Sequence, residues 1–375
     1  MKERSIIAGV NRTGYKEPHK KEPYMQHSTF KAWIVRKDAD HAQASFEGFD
    51  ESFILAGSPC VNKGDDAVSR LPRETEPRVV VRVTYSSINY KDALALEGKP
   101  GIIRKHPLIP GIDLVGEVVE SSDSHWKPGA TVVLTGAGIG EEKHGGLSEL
   151  ACVSTDALIA LPKSFSAKQA AAIGTAGYTA ALCVMALQDA GIDQGKGPIL
   201  VTGAGGGVGS IAVALLAGLG YEVHAVTGRK EALSQQLTML GARQILSRDE
   251  VNANGKPLVK QRWAGAVDTV GGDILASVLA AIEHNGAVAA CGLAGGAQLS
   301  CTVMPFILRG VNLLGVNSVL VDYERRLAAW ELLGRALDPA LLDAITSEVE
   351  LADVRSVSRE LLAGKGTGRT VVRVS

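Results

Sequence analysis

Cysteine is scarce and scattered. Cys60, Cys152, Cys183, Cys291 and Cys301 are the only five in 375 residues, and no two form a CxxC pair. That pattern excludes a disulfide framework and a structural zinc lobe, and it makes a reducing cytoplasm the expected compartment. An excess of one charge is lacking too. With 39 Lys and Arg against 40 Asp and Glu, the net charge of -1 argues against an extended nucleic-acid footprint. Clean apolar runs of membrane length are also missing. Residues 169–188 and 197–220 carry no charge, but Gly174, Thr175, Gly177, Tyr178 and Thr179 interrupt the first, and GAGGGVG splits the second. No apolar core of a secretory signal precedes Met25, and three Glu stand among six Lys and Arg in the first 24 residues. Residues 1–27 therefore read as a disordered tail or an overextended start.

What is present is ordinary globular material, 46% hydrophobic and 21% charged, of two-domain length. Glycine is the exception, at 43 residues without a collagen period. Such an excess implies tight turns, or backbone that approaches a ligand closely. From about Phe30 the chain reads as short β-branched strands: KAWIVRK, PRVVVRVTYSSI, IPGIDLVGEVVE, ATVVLTG and GGLSELACV. Residues 54–72 show no period and read as a loop insertion. Residues 28–155 are thus an all-β region of small-barrel type. After Pro162 comes an Ala-rich helical stretch, SAKQAAAIGTAGYTAALCVMALQDAG, and then strand–helix alternation. That alternation predicts a parallel sheet with crossover helices over residues 156–319. Residues 320–375 offer the helix ERRLAAWELLGRAL and the strand TVVRV, too little for a domain, and are expected to complete the β region.

The strongest chemical signal is ILVTGAGGGVGSIAVALL followed by YEVHAVTGR. An apolar strand enters a glycine turn and a helix of small residues leaves it, so backbone N–H groups can meet a pyrophosphate. The spacing is AxGxxG, at Ala204, Gly206 and Gly209, with Gly207 and Val208 between them. Its place in a βαβ unit makes it a dinucleotide site. The next strand ends in Thr227-Gly228-Arg229-Lys230, where an NAD site offers an acid. A carboxylate would repel a 2′-phosphate, whereas Arg229 and a hydroxyl bind one. At roughly 1.5–3 kcal/mol per charge-assisted hydrogen bond, two such bonds give about 10²–10⁴ preference for NADP.

SSINYKDALAL, IPGIDLVGEV, HGGLSE, VTGAGGGVGSIAVALL, AVTGR, WAGAVDTVGG, VMPFILRGVNLLGVNSV and GRTVVRV, in this order, resemble the zinc-independent, quinone-oxidoreductase-like branch of the medium-chain dehydrogenase/reductase superfamily. Within it the acryloyl-CoA reductase family is the nearest likeness. The resemblance implies a fold that is α/β plus all-β, a GroES-like β-barrel catalytic domain with an inserted Rossmann domain. Zinc-dependent relatives carry a Cys near Asn89–Asp92 and a His-Glu pair after a Pro-Gly. Here Asn89-Tyr90-Lys91-Asp92 and Pro110-Gly111-Ile112-Asp113 stand instead, and Ile112 cannot coordinate metal. No metal site is expected.

By the same resemblance, Tyr90 contacts the nicotinamide end, and Gly209, Ser210, Ile211 and Ala212 form the pyrophosphate-facing helix start. Arg248 is an adenosine-side contact, and Leu293, Ile307 and Ser318 are backbone lining of the nicotinamide pocket. Without a Lewis acid, an activated alkene is a more suitable hydride acceptor than a carbonyl. In an enoyl thioester the hydride goes to the β-carbon and charge develops on the thioester oxygen, which calls for hydrogen-bond donors. Asn89, Tyr90 and Lys91 are the candidates for that role, with Asp92 fixing their loop. Arg325 and Arg326, or Lys99 and Arg104, are candidates for the CoA phosphates, and His144 for a proton donor. The expected activity is NADPH-dependent reduction of a short 2-enoyl-CoA, acryloyl-CoA to propionyl-CoA. A quinone or enone reductase and a non-catalytic NADPH-binding sensor remain open alternatives. A homodimer is expected, with VMPFILRGVNLLGV offering an apolar strand for pairing across a two-fold axis.

Overall fold

The computed structural model describes residues 29–39, 41–55 and 77–375. The N-terminal tail and most of the 54–72 insertion lie outside them. The described residues begin with β1 (Thr29–Asp38), which pairs antiparallel with β2 (His41–Asp50), a strand hidden in the sequence by its weak alternation. A single turn, α1 (Ser52–Leu55), occupies the start of the expected insertion. Then come β3 (Arg78–Ser87), the short helix α2 (Tyr90–Leu96), β4 (Asp113–Ser121), β5 (Thr131–Thr135), β6 (Leu150–Ser154) and β7 (Ile159–Ala160). Val79, Val81 and Val83 alternate inward along β3 and are fully buried, the period-2 pattern of a half-buried strand.

The helix α3 (Ala167–Asp189) leads into the second region. Of all the described helices it is the one long and apolar enough to cross a membrane, and its apolar window is 89% buried inside the protein. There β8 (Ile199–Val201), α4 (Gly207–Gly218), β9 (Val223–Val226), α5 (Lys230–Met239), β10 (Ala242–Leu246) and α6 (Arg248–Val251) come in order. They continue into β11 (Trp263–Asp268), α7 (Gly272–Leu279), β12 (Ile282–Ala290), α8 (Met304–Arg309) and β13 (Asn312–Gly315). The six strands form one parallel sheet in the order β10-β9-β8-β11-β12-β13. Every residue of the central β11 is buried, as required of a strand covered on both faces. Two expectations shift here. The run ILASVLAAIE, whose apolar residues predict one continuous helix, divides between two elements: α7 stops at Leu279, and Ile282 already belongs to β12. The stretch MPFILR is helix, not strand, because Pro305 starts it and Gly310 ends it in the left-handed region at φ 61°.

The chain then returns. After α9 (Tyr323–Ala336) and α10 (Pro339–Ala344), β14 (Thr346–Glu350), α11 (Val354–Leu362) and β15 (Arg369–Arg373) rejoin the first sheet. That seven-stranded sheet runs β14-β15-β3-β4-β5-β7, with β6 on β3. The register Val371↔Ser87 sets the start of β15 beside the end of β3. The two halves of the molecule therefore meet where β15, α2 and the kinked α3 converge on the glycine turn of α4.

Candidate active site: one cleft between the two sheets

The glycine turn is built by backbone that only glycine tolerates. Gly203 has φ +61°, and a Cβ on Gly209 would stand 2.3 Å from the Gly203 carbonyl oxygen. This close approach lets α4 start hard against β8 and leaves Gly206, Gly207, Val208 and Gly209 on the wall of a cavity of about 590 Å³. A second cavity of about 650 Å³ continues it past Gly205, Thr227, Gly228, Arg229 and Arg248. Tyr90, Gly203, Gly206, Thr269, Ala294 and Gly366 line both cavities, which makes them one cleft.

At its far end stands a cationic corner. The Arg229 guanidinium is met by main-chain carbonyls rather than a carboxylate: Nη2 donates to Gly366 O at 2.7 Å and Nη1 to Lys365 O at 3.2 Å. Arg229 N–H donates to Thr227 Oγ1 at 3.2 Å. The Arg248 guanidinium lies across Gly228, where a Cβ would meet it at 3.1 Å. Two guanidinium groups, a hydroxyl and bare backbone fit a ribose 2′-phosphate.

At the near end, Asn89, Tyr90, Lys91, Glu141, Thr175, Cys291 and Ser318 line the wall. Tyr90 is half exposed, and Lys91 Nζ is held by Glu141 Oε1 at 2.7 Å. Asn89 faces the other way. Its amide nitrogen donates to Asp113 Oδ2 at 2.7 Å, Asp92 Oδ2 at 3.0 Å and Ser87 Oγ at 3.2 Å. Its N–H groups are thus committed to buried acceptors, so Asn89 holds the loop instead of donating to a reacting oxygen. Asp92 also accepts the N–H groups of Asn89 and Ile112, at 2.9 Å each. Burial, together with the nearby negative Asp113, pushes the Asp92 carboxyl up to about 7.

Arg369, at the start of β15, closes this network. Its guanidinium donates to Ala172 O at 2.6 Å, Ser87 Oγ at 3.0 Å and Asn89 Oδ1 at 3.2 Å, with the Asp113 carboxylate 4.0 Å away. Asp113 in turn accepts the N–H of Thr175 at 2.8 Å and its hydroxyl at 2.6 Å. That N–H is free because Gly174, at φ +46° and ψ -158°, breaks α3. A side chain on Gly174 would meet Asp113 Oδ2 at 2.5 Å. The kink, the carboxylate and the arginine therefore fix one another.

Residues 75–163 match the alcohol dehydrogenase GroES-like domain, and residues 207–333 match the zinc-binding dehydrogenase domain. Acrylyl-CoA reductase AcuI of Ruegeria pomeroyi is 52% identical over 298 residues, 79% of this chain and 90% of that protein. The chain belongs to the medium-chain dehydrogenase/reductase superfamily. A putative quinone oxidoreductase of Bacillus subtilis, YhfP, is 46% identical over 298 residues, again 79% of this chain and 90% of that protein. The crystal structure of the Salmonella enterica yhdH oxidoreductase in complex with NADP superposes with a TM-score of 0.83 at 48% identity, covering 92% of this chain and 100% of that one.

Several expected site residues of this medium-chain reductase sit elsewhere. Ala204, Ser210, Ile211 and Ala212 are fully buried beneath the turn, and Ser210 N–H is spent on Gly206 O at 2.9 Å. The N–H groups left to a pyrophosphate come from the residues before it. Leu293 is 66% and Ile307 71% exposed, and neither is part of the cleft wall, whereas Ser318 is. Arg326 is only 1% exposed, its Nη1 donating to Thr135 O at 2.7 Å and its plane 4.8 Å from the Tyr178 ring centre. Arg325 pairs with Asp189, and Arg104 with Glu142 at 2.6 Å. Arg325 and Arg326 are therefore packing and pairing groups that do not form the cleft wall, and Lys99, though exposed, is not part of that wall either. His144 is buried against Phe53, its Nδ1 accepting the Ile109 N–H at 3.1 Å. Burial pulls its pKa down to about 4, so it is not an imidazolium at neutral pH, and it is not part of the cleft wall. Among the described residues no group of three or more His, Cys, Asp and Glu is placed to hold a metal ion. The residues that sequence reasoning missed, Thr175 and Arg369, were signalled only by Gly174 inside a helical run.

Proposed function

We propose that this chain reduces the alkene of a short 2-enoyl-CoA, acryloyl-CoA above all, to the saturated thioester with NADPH. The observation that carries the reading is a single cleft with the Thr227–Arg229–Arg248 corner at one end and Tyr90 with Lys91 at the other. The 52% identity to a named acrylyl-CoA reductase supports the choice of substrate.

When bound, NADPH supplies the hydride, delivered to the β-carbon. Arg229, Arg248 and Thr227 hold the 2′-phosphate, and the N–H groups of Gly207, Val208 and Gly209 meet the pyrophosphate. As the hydride arrives, negative charge collects on the thioester oxygen. Lys91, steadied by Glu141, donates to it, and the Tyr90 hydroxyl returns a proton to the α-carbon. Asn89 acts one step back, holding Tyr90 and Lys91 through the buried network. With Arg325 and Arg326 engaged elsewhere, Lys365 on the cleft wall is the cation placed to meet a CoA phosphate.

Quinone reduction is the second reading, favoured by the 46% identity to a putative quinone oxidoreductase. Following NADPH absorbance with acryloyl-CoA, crotonyl-CoA, a quinone and a free enone at matched concentrations separates the two. Acryloyl-CoA should lead, with crotonyl-CoA slower because one methyl in a fitted site is worth about 1–3 kcal/mol. Faster quinone turnover overturns the first choice, and binding without turnover favours a sensor.

The working unit is a homodimer in the cytoplasm. Val303, Ile307, Leu308, Leu313 and Leu320 are exposed around the edge strand β13, and a two-fold pairing there would cover them. Light scattering giving a monomer refutes the dimer.

A further inference from the structure

Arg229 does more than its place in the phosphate corner requires. The segment it grips, residues 364–368, links α11 to β15 and lines both parts of the cleft. Gly364 and Gly368 sit at φ +73° and +57°, so the segment is bent at both ends by backbone that favours glycine. Between the bends, its contacts to the nucleotide region are the two Arg229 bonds, at 2.7 Å to Gly366 O and 3.2 Å to Lys365 O, and Gly368 N–H on Gly205 O at 3.2 Å. The next residue is Arg369, which donates to Asn89 Oδ1 at 3.2 Å. Lys365 and Thr367 line the same cavity as Tyr90 and Lys91.

We propose that Arg229 is a positioning residue as well as a phosphate ligand: it is the latch through which the 2′-phosphate end of the cleft orders segment 364–368 at the acceptor end. This rests on the NADPH reading above. A guanidinium carries five N–H groups in a rigid plane. Two are on the carbonyls, which leaves Nε–H and one N–H on each terminal nitrogen for a phosphate. Both sets can be satisfied at once. A 2′-phosphate then removes the rotamer freedom of Arg229, and the carbonyls it holds are fixed with it. NADH fills the same cleft without that clamp, so a cofactor lacking only the phosphate leaves the acceptor wall looser. Arg248 touches the phosphate corner from the Gly228 side and is not bonded to the segment, so it serves as the comparison.

The test is hydrogen–deuterium exchange of peptides covering residues 362–370, with saturating NADP⁺ or NAD⁺, after a fluorescence titration establishes binding of each. In the wild type, NADP⁺ slows exchange in this segment at least about threefold beyond NAD⁺. Arg229→Ala removes that difference and raises KM for acryloyl-CoA about fivefold at saturating NADPH, whereas Arg248→Ala at saturation keeps the slow exchange. Arg229→Lys retains the charge without the planar fork, and its exchange resembles that of Arg229→Ala. Equal exchange with the two nucleotides in the wild type, or identical behaviour of the Arg229 and Arg248 variants, overturns the latch and leaves the cofactor reading intact. No NADP⁺ binding in the titration overturns both.

Discussion

Asp92 gives the sharpest handle on the buried network behind the loop of Asn89, Tyr90 and Lys91. Its carboxyl titrates at about 7 in the folded protein instead of 3.8, first because it is fully desolvated and second because Asp113 is negative beside it. At about 1.4 kcal/mol per tenfold change in proton affinity, a proton on Asp92 favours the fold by about 4 kcal/mol. The folded pKa is raised, so this stabilisation is present below the unfolded pKa and is lost as pH rises through about 7. Asp92→Asn keeps the shape and fixes the neutral state. It forfeits one of the accepted N–H bonds, a cost equal at every pH. Urea unfolding of wild type and variant at matched pH should therefore show their difference moving by about 4 kcal/mol in the variant's favour between about pH 4 and about pH 8. Because Asp92 braces Asn89, kcat of the wild type should also inflect near neutral pH, and that inflection should vanish in the variant. Parallel stability curves, or the same inflection in both proteins, would show that Asp92 is ionised throughout and the reasoning wrong.

Two further predictions concern the same interior. His144→Asn keeps an acceptor for the Ile109 N–H but removes a ring whose pKa burial has lowered from 6.5 to about 4. Its stabilisation is present above the unfolded pKa and lost as pH falls, so the wild type should lose about 3 kcal/mol relative to the variant between about pH 7 and about pH 4, the opposite sign to Asp92. Arg369→Lys cannot reproduce three donors in one plane, and leaving the Asn89 and Ala172 acceptors unmet, at about 1–3 kcal/mol each, should cost about 2–6 kcal/mol, read as a lowered Tm. In the surviving folded fraction kcat should fall more than KM rises, since the loop of Asn89, Tyr90 and Lys91 is displaced rather than the Arg229 corner.

Local patterns were legible in the sequence, and contacts between distant segments were not. The strands KAWIVRK and PRVVVRV, the Ala-rich helix and the βαβ rhythm are local patterns, and all appear in the structure. That Thr227-Gly228-Arg229 lines the cleft was readable, because the glycine turn locates the end of the next strand at the same opening. The network was not, because Asp113, Thr175 and Arg369 are far apart in sequence and meet only when β15 pairs with β3. The partners of Asn89 could not be read either, since its acceptors come from β3, α2 and β4. Arg326 misled for the converse reason. An arginine pair on an amphipathic helix looks solvated, and nothing nearby in sequence announces that Thr135 and Tyr178 will enclose one of them.

Hydride delivery from NADPH to the β-carbon of an enoyl thioester is tested most directly by isotopic labelling. Turnover of acryloyl-CoA with NADPH deuterated at the transferred position, in ordinary water, should give propionyl-CoA carrying one deuterium at the terminal carbon and none beside the thioester. Deuterium beside the thioester, or no saturated product while a quinone is consumed, would contradict it.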